Sequence, residues 1–136
     1  DTLTRLSNEL KNQHGLDYFA KKTSDRMIDQ SIDRAVFDSV RHPLEMDYLM
    51  SYHTQFIGVN ADQRIRYERI QSRGNSTDFV SFDTFKAQDD YELNGKSTGQ
   101  FIQECLNKCA VIVDNNDNEL KLISKIDDII KRMRYL

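Results

Sequence analysis

Asp38-Ser39-Val40-Arg41 sets a carboxylate and a guanidinium three residues apart, directly after the short apolar run Ala35-Val36-Phe37. A carboxylate there can order a magnesium ion or its waters, because Mg2+ takes oxygen ligands and keeps several waters. The arginine can fork onto a phosphate through two parallel hydrogen bonds. The plainer alternative is an aspartate that caps a turn at a strand end. Arg66, Arg69 and Arg73 fall at i, i+3 and i+7, on one helical face, with Arg64 off that face. Three guanidinium groups leading into a loop at Gly74 suit a clamp for phosphoryl groups. The same spacing also describes a solvated basic face balanced by Asp62 and Glu68.

Gly95-Lys96-Ser97-Thr98 matches the tail of the G-x-x-x-x-G-K-[ST] phosphate loop. The full pattern needs a glycine where Asp90 stands, and a strand before the loop. Phe82 to Glu92 is polar and helical in period, and a carboxylate facing a phosphate would repel it. The run reads better as a lid-side loop. Cys105 and Cys109 lie at i, i+4 in a helical stretch, too few ligands for a structural zinc site. They read as reduced thiols, which points weakly to the cytoplasm. His14, His42 and His53 have no metal-ligand spacing, and no Ser/His/Asp or Cys/His signature stands out.

The elements that must carry these residues alternate in type. Residues 1–13 read as a helix that Gly15 stops, and Leu16 to Gln30 resume the helical pattern. Ala35-Val36-Phe37 reads as a first strand. A helix follows with Pro43 in its first turn and Glu45 well placed against the helix dipole. Gln55 to Val59 is the second strand, Asp62 to Arg73 a helix, and Gly74 to Asp78 a turn-rich loop. Ser81 to Glu92 is helical, Leu93 to Thr98 a loop, and Gly99 to Lys108 a helix. Ala110 to Val113 is the third strand. Leu122, Ile126, Ile129, Ile130 and Met133 form the clearest amphipathic stripe. Such alternation implies an α/β class with a mainly parallel sheet. Ligands of open α/β sheets bind beyond the carboxyl ends of the strands, here Asp38–Arg41, Asn60–Asp62 and Asp114–Asn116.

Composition sets outer limits. The chain has 136 residues, 38% hydrophobic and 30% charged, enough for one domain with a single core. The net charge of −3 argues against a broad nucleic-acid footprint, so any anion site must be local. No apolar run approaches the ~18 residues that a membrane span needs, and no signal-peptide pattern opens the chain. The first residue is Asp1 rather than Met, which reads as a processed, trimmed or partly observed chain.

The order of these motifs resembles a family. Phe37-Asp38-Ser39-Val40-Arg41-His42-Pro43-Leu44-Glu45 is similar to the segment of P-loop nucleotide kinases in which an apolar strand ends in Asp-Gly-x-Arg-x-Pro-x-Glu. Ile57-Gly58-Val59-Asn60-Ala61, with Arg64, Arg66, Glu68-Arg69 and Arg73, resembles the next strand and the helix leading to the lid. Asp89, Glu92, Gly99-Gln100, Ile102 and Cys109 to Asn115 resemble the C-terminal half. Arg5 to Leu10, with Gly15 and Tyr18-Phe19-Ala20, looks like the helix that follows the phosphate loop. Dephospho-coenzyme A kinase-like and adenylate-kinase-like proteins are the nearest in pattern. The kinase-like domain fused to some deoxycytidylate deaminases is also similar, and it often carries Ser where Ser39 replaces the usual Gly.

The resemblance implies a single domain over 1–136, with a lid-like region at about 64–98. It implies a three-layer αβα sheet of P-loop kinase type, incomplete on its N-terminal side. It also implies ATP and Mg2+ as cofactors. Asp38 would organise Mg2+ or water, and Arg41 and Arg66 would contact the acceptor. Arg69 and Arg73 would stabilise the transferring phosphoryl group, and Asn115 and Asn116 would lie near the nucleotide base. The Walker A segment is missing from the sequence, so the chain is expected to be inactive alone. The leading expectation is an ATP-dependent phosphotransferase acting on a nucleotide or a dephospho-coenzyme A-like acceptor. The alternatives are a non-catalytic nucleotide-sensing or interaction domain and a structural adaptor. No nucleic-acid or membrane partner is expected, and the sheet edge left by a missing strand could pair two copies.

Overall fold

A computed structural model describes residues 2–75, 78–95 and 100–133. The Lys96-Ser97-Thr98 part of the phosphate-loop look-alike, and the end of the lid-like region, lie outside them. The described chain is mixed α/β and mostly helical, with one small parallel sheet. It divides into two compact units interleaved in sequence. One comprises Asp1–Phe56 and Tyr91–Lys108, the other Ile57–Asp90 and Cys109–Leu136.

The first unit is helical. Helix α1 (Thr2–His14) stops at Gly15, whose φ of 100° suits a residue without a Cβ. Lys11 and His14 in its last turn favour the negative end of the helix dipole. Helix α2 (Tyr18–Asp29) is shorter at both ends than Leu16 to Gln30. Its Ala20 and Ser24, one turn apart, are buried where α2 packs on helix α3 (Pro43–Met50). Met46 and Leu49 of α3 are each 1% exposed and centre this unit's core. Helix α6 (Ile102–Lys108) also packs on α3, buries Cys105, and is tied to it by Lys108 on Asp47 at 2.5 Å. Gly99, expected to open this helix, lies outside the described residues; just before Ile102 the Phe101 amide donates to the Arg41 carbonyl and the Phe101 carbonyl accepts the Cys105 amide.

Ala35-Val36-Phe37 forms no strand; it lies in irregular backbone, with Val36 94% exposed. A short β-prone run needs a neighbour to pair its amides and carbonyls, and among the described residues it has none.

The second unit holds the sheet. Strand β1 (Ile57–Asn60) runs parallel to strand β2 (Val111–Asp114), with Ile57 opposite Val111 and Asn60 opposite Asp114. Each strand lies one or two residues later than its apolar run suggests. Helix α4 (Gln63–Arg73) begins at Asp62 and ends at Gly74, which takes the left-handed conformation of a helix C-cap. Helix α5 (Phe82–Asn94) follows, and Phe85, one of its residues in this unit, is buried beside Tyr67. Leu93 and Asn94 extend α5 into the stretch expected to be loop. Helix α7 (Glu119–Met133) packs on β2, and the Asn118 side chain accepts a hydrogen bond from the Lys121 amide at its start. Leu122, Ile126, Ile129 and Met133 of its stripe are only half-buried, while Ile130 is exposed.

Candidate functional site

In the first unit, the segment from Asp38 to Glu45 is a shaped loop rather than a simple strand end. Ser39 has φ +64°, the left-handed region that costs an L-residue about 1–2 kcal/mol. The loop is then pinned. The Arg41 carbonyl accepts from the Phe101 amide at 2.9 Å, and the His42 ring meets the Phe101 ring edge-on at 5.0 Å. His42 Nδ1 accepts from the Leu44 amide at 3.2 Å and so caps α3, with Pro43 at the first helical position and Glu45 buried in the first turn. Burial pushes the His42 imidazole below its ordinary value. Glu45 and Glu104 act the other way, and Lys11 acts with burial. The Asp38 carboxylate and the Arg41 guanidinium are exposed and have no ion pair or hydrogen bond among the described residues. Two opposite charges on a fixed, partly strained loop remain available to a ligand.

In the second unit, the arginine face of α4 is fully engaged with the protein. Arg66 is half-buried; it pairs with Asp89 of α5, and its Nε donates to the Ala61 carbonyl at 2.9 Å. Burial lowers its pKa, although a guanidinium stays charged. Gln63 reinforces the same junction through Asp89 and Asp90 at 2.8 and 3.0 Å. Arg73 forks onto Asp78, with both bonds at 2.9 Å. Asp78 is 6% exposed and also accepts from the Asn75 amide, so this pair closes the turn after α4. Hydrogen bonding to Asp78 raises the Arg73 pKa.

Arg69 reaches the carboxyl end of the sheet. Its Nη1 donates to the Asn115 carbonyl and its Nη2 to the Asp117 carbonyl, both at 2.7 Å. Those carbonyls belong to the turn between β2 and α7, at the carboxyl end of the parallel pair. The Asn115 amide donates to the Asn60 carbonyl at 2.7 Å, which ties the two strand ends together. Asn116 is saturated: Oδ1 accepts from the Asp62 amide at 2.7 Å, and the amide donates to Asp114 Oδ1 at 2.7 Å. Lys125 donates to the Asp114 carbonyl at 2.7 Å and to Asp117 at 3.3 Å, and Lys121 holds Asp117 at 2.9 Å. These lysines hold the Asp117 carboxyl below its usual range. The Asn115 carboxamide, half-buried, makes no hydrogen bond among the described residues.

The sequence pointed to the residues at both loops but not to their partners. The role of Asp78 could have been suspected, since it follows Arg73 by five residues across a glycine. The Arg69 bridge had no such signal, its acceptors being backbone carbonyls 46 and 48 residues away. Among the described residues, no group of three or more His, Cys, Asp or Glu is arranged to hold a metal ion. A Mg2+ held through water by one carboxylate does not require such a group, and Asp38 fits that donor chemistry. No helix of the described residues is long and apolar enough to cross a membrane.

Comparison with known proteins finds three archaeal relatives. A UPF0200 protein of Hyperthermus butylicus is 29% identical over 94 residues, 68% of this chain and 50% of that protein. A UPF0200 protein of Staphylothermus marinus is 30% identical over 94 residues, 68% of this chain and 49% of its own. UPF0200 protein TV0279 of Thermoplasma volcanium is 28% identical over 86 residues, 62% of this chain and 47% of its own. The chain thus spans about half the length of the curated relatives it matches. No family model matches it. No solved structure matches it at a significant level.

Proposed function

We propose that the protein to which this chain belongs is an ATP-dependent phosphotransferase of P-loop kinase type, acting on a nucleotide or a dephospho-coenzyme A-like acceptor. On this reading the phosphate-gripping loop lies outside the present sequence, and the sheet is completed there. The observation that carries the reading is the backbone at Ser39. It adopts the left-handed conformation that favours glycine, at the position where the kinases it resembles carry glycine in Asp-Gly-x-Arg-x-Pro-x-Glu. The exposed, unpaired Asp38 and Arg41 beside it are the charges such a site needs. The parallel pairing of β1 with β2 and the unpaired Ala35-Val36-Phe37 run are also in keeping with a sheet lacking a member.

Asp38 would hold Mg2+ through water, and the ion would neutralise charge on the phosphates. Arg41 would grip the acceptor by its fork geometry.

The test uses the full-length protein with Mg2+ and ATP. ADP formation is followed with nucleoside monophosphates and dephospho-coenzyme A as acceptors. Acceptor-dependent turnover is expected, with Asp38→Asn lowering kcat by a factor of about 100 or more. Absence of both turnover and ATP binding would sink the reading. ATP binding without turnover would favour a nucleotide-sensing domain, a second reading that one observation supports: Arg66, Arg69 and Arg73 are all occupied by protein acceptors.

A further inference from the structure

The β2–α7 turn is where the arginine face and the strand ends meet. Its cations are committed: Arg69 to the Asn115 and Asp117 carbonyls, Lys125 to the Asp114 carbonyl and Asp117, and Lys121 to Asp117. Asp62 and Asp114 add further carboxylates at the same edge. Among the described residues, every cation that reaches this turn is already bonded to protein oxygens. A neutral group with its own donors and acceptors suits the turn better. Asn116 cannot serve it, since its carboxamide oxygen takes the Asp62 amide and its nitrogen faces Asp114 at 3.4 Å. Asn115 can, having a half-buried carboxamide with donors and an acceptor in hand.

We propose that Arg69 is a positioning residue: by bridging the Asn115 and Asp117 carbonyls it holds the Asn115 carboxamide at the carboxyl end of the parallel pair, where that group reads the nucleobase end of the nucleotide. This rests on the phosphotransferase reading above and departs from it in one role. Arg69 acts on the base side through the backbone and does not stabilise the transferring phosphoryl group. Arg69 meets the two carbonyls with separate nitrogens of one planar fork, both at 2.7 Å, a fixed spacing that the single ammonium nitrogen of a lysine does not reproduce.

The full-length protein and its Arg69→Gln and Arg69→Lys variants are titrated with ATP and with inorganic tripolyphosphate, both in Mg2+. Amide exchange at Asn115 and Asn116 is followed without ligand. Both variants are expected to bind ATP about tenfold more weakly while binding tripolyphosphate as the wild type does. Exchange at the two amides should accelerate, because the Asn60 and Asp114 acceptors no longer face them. Asn115→Ala, which leaves the bridge intact, should reproduce the ligand pattern without the exchange change, and it serves if the Arg69 variants fail to fold. Parallel loss of both ligands, or recovery in Arg69→Lys, overturns the proposal in favour of a charge acting on phosphate. Wild-type protein that binds tripolyphosphate and ATP equally overturns it too, leaving the phosphotransferase reading standing. Wild-type protein that binds neither overturns both.

Discussion

His42 shows how one side chain can set both a helix start and a pH response. Its Nδ1 accepts from the Leu44 amide, so the imidazole must be unprotonated there. It is 5% exposed, and burial lowers its pKa against the opposing pull of Glu45 and Glu104, with Lys11 adding to the lowering. The unfolded chain titrates near the ordinary value of about 6.5. Below that, the unfolded state binds a proton that the folded state resists. The contribution is therefore complete above pH ~6.5 and is lost as pH falls through the lowered folded value. Urea midpoints at pH 7.5 and 5.5 should separate more in the wild type than in His42→Asn, which keeps a capping acceptor but does not titrate. An equal separation in both would remove His42 as the cause. The sequence marked Pro43 and Glu45 as a helix start. The capping role of His42 was hidden because histidine is not among the favoured caps.

At the scale of elements, legibility tracked how local each signal was. Helix α4 was legible from Gly74, which caps its end, and α7 from its stripe, since capping and period are properties of neighbouring residues. The Ala35-Val36-Phe37 run failed as a strand because a strand is a property of two segments. The clamps on Arg66, Arg69 and Arg73 were illegible for the same reason, their partners being set by the fold. Helix α3 receives both α2 and α6. Burial within it separates two leucines: Leu49 is 1% exposed and Leu44 47%. Leu49→Ala should cost about 2–5 kcal/mol in denaturant unfolding. Leu44→Ala should fall within about 0.5 kcal/mol of the wild type. Similar losses from both would mean that α3 is not the centre of its unit.

The molecule as a whole has more apolar surface in its second unit than a small parallel sheet usually leaves open. Parallel sheets are normally covered on both faces. Two strands alone also leave unpaired edges. Gly58 and Ile112 are paired in register, and residues paired in this way point to one face. Ile112 on that face is 53% exposed, Val59 on the other 50%, and Leu120 and Ile123 of α7 are exposed as well. Apolar surface of this kind, next to open strand edges, promotes association between copies. The 136-residue chain should therefore show a sedimentation coefficient that rises with concentration. Ile112→Lys places a charge at a position 53% exposed, so its helical circular dichroism should be unchanged. Its sedimentation should become independent of concentration. A wild-type chain that stays monomeric across the accessible range would show that the open face does not drive association.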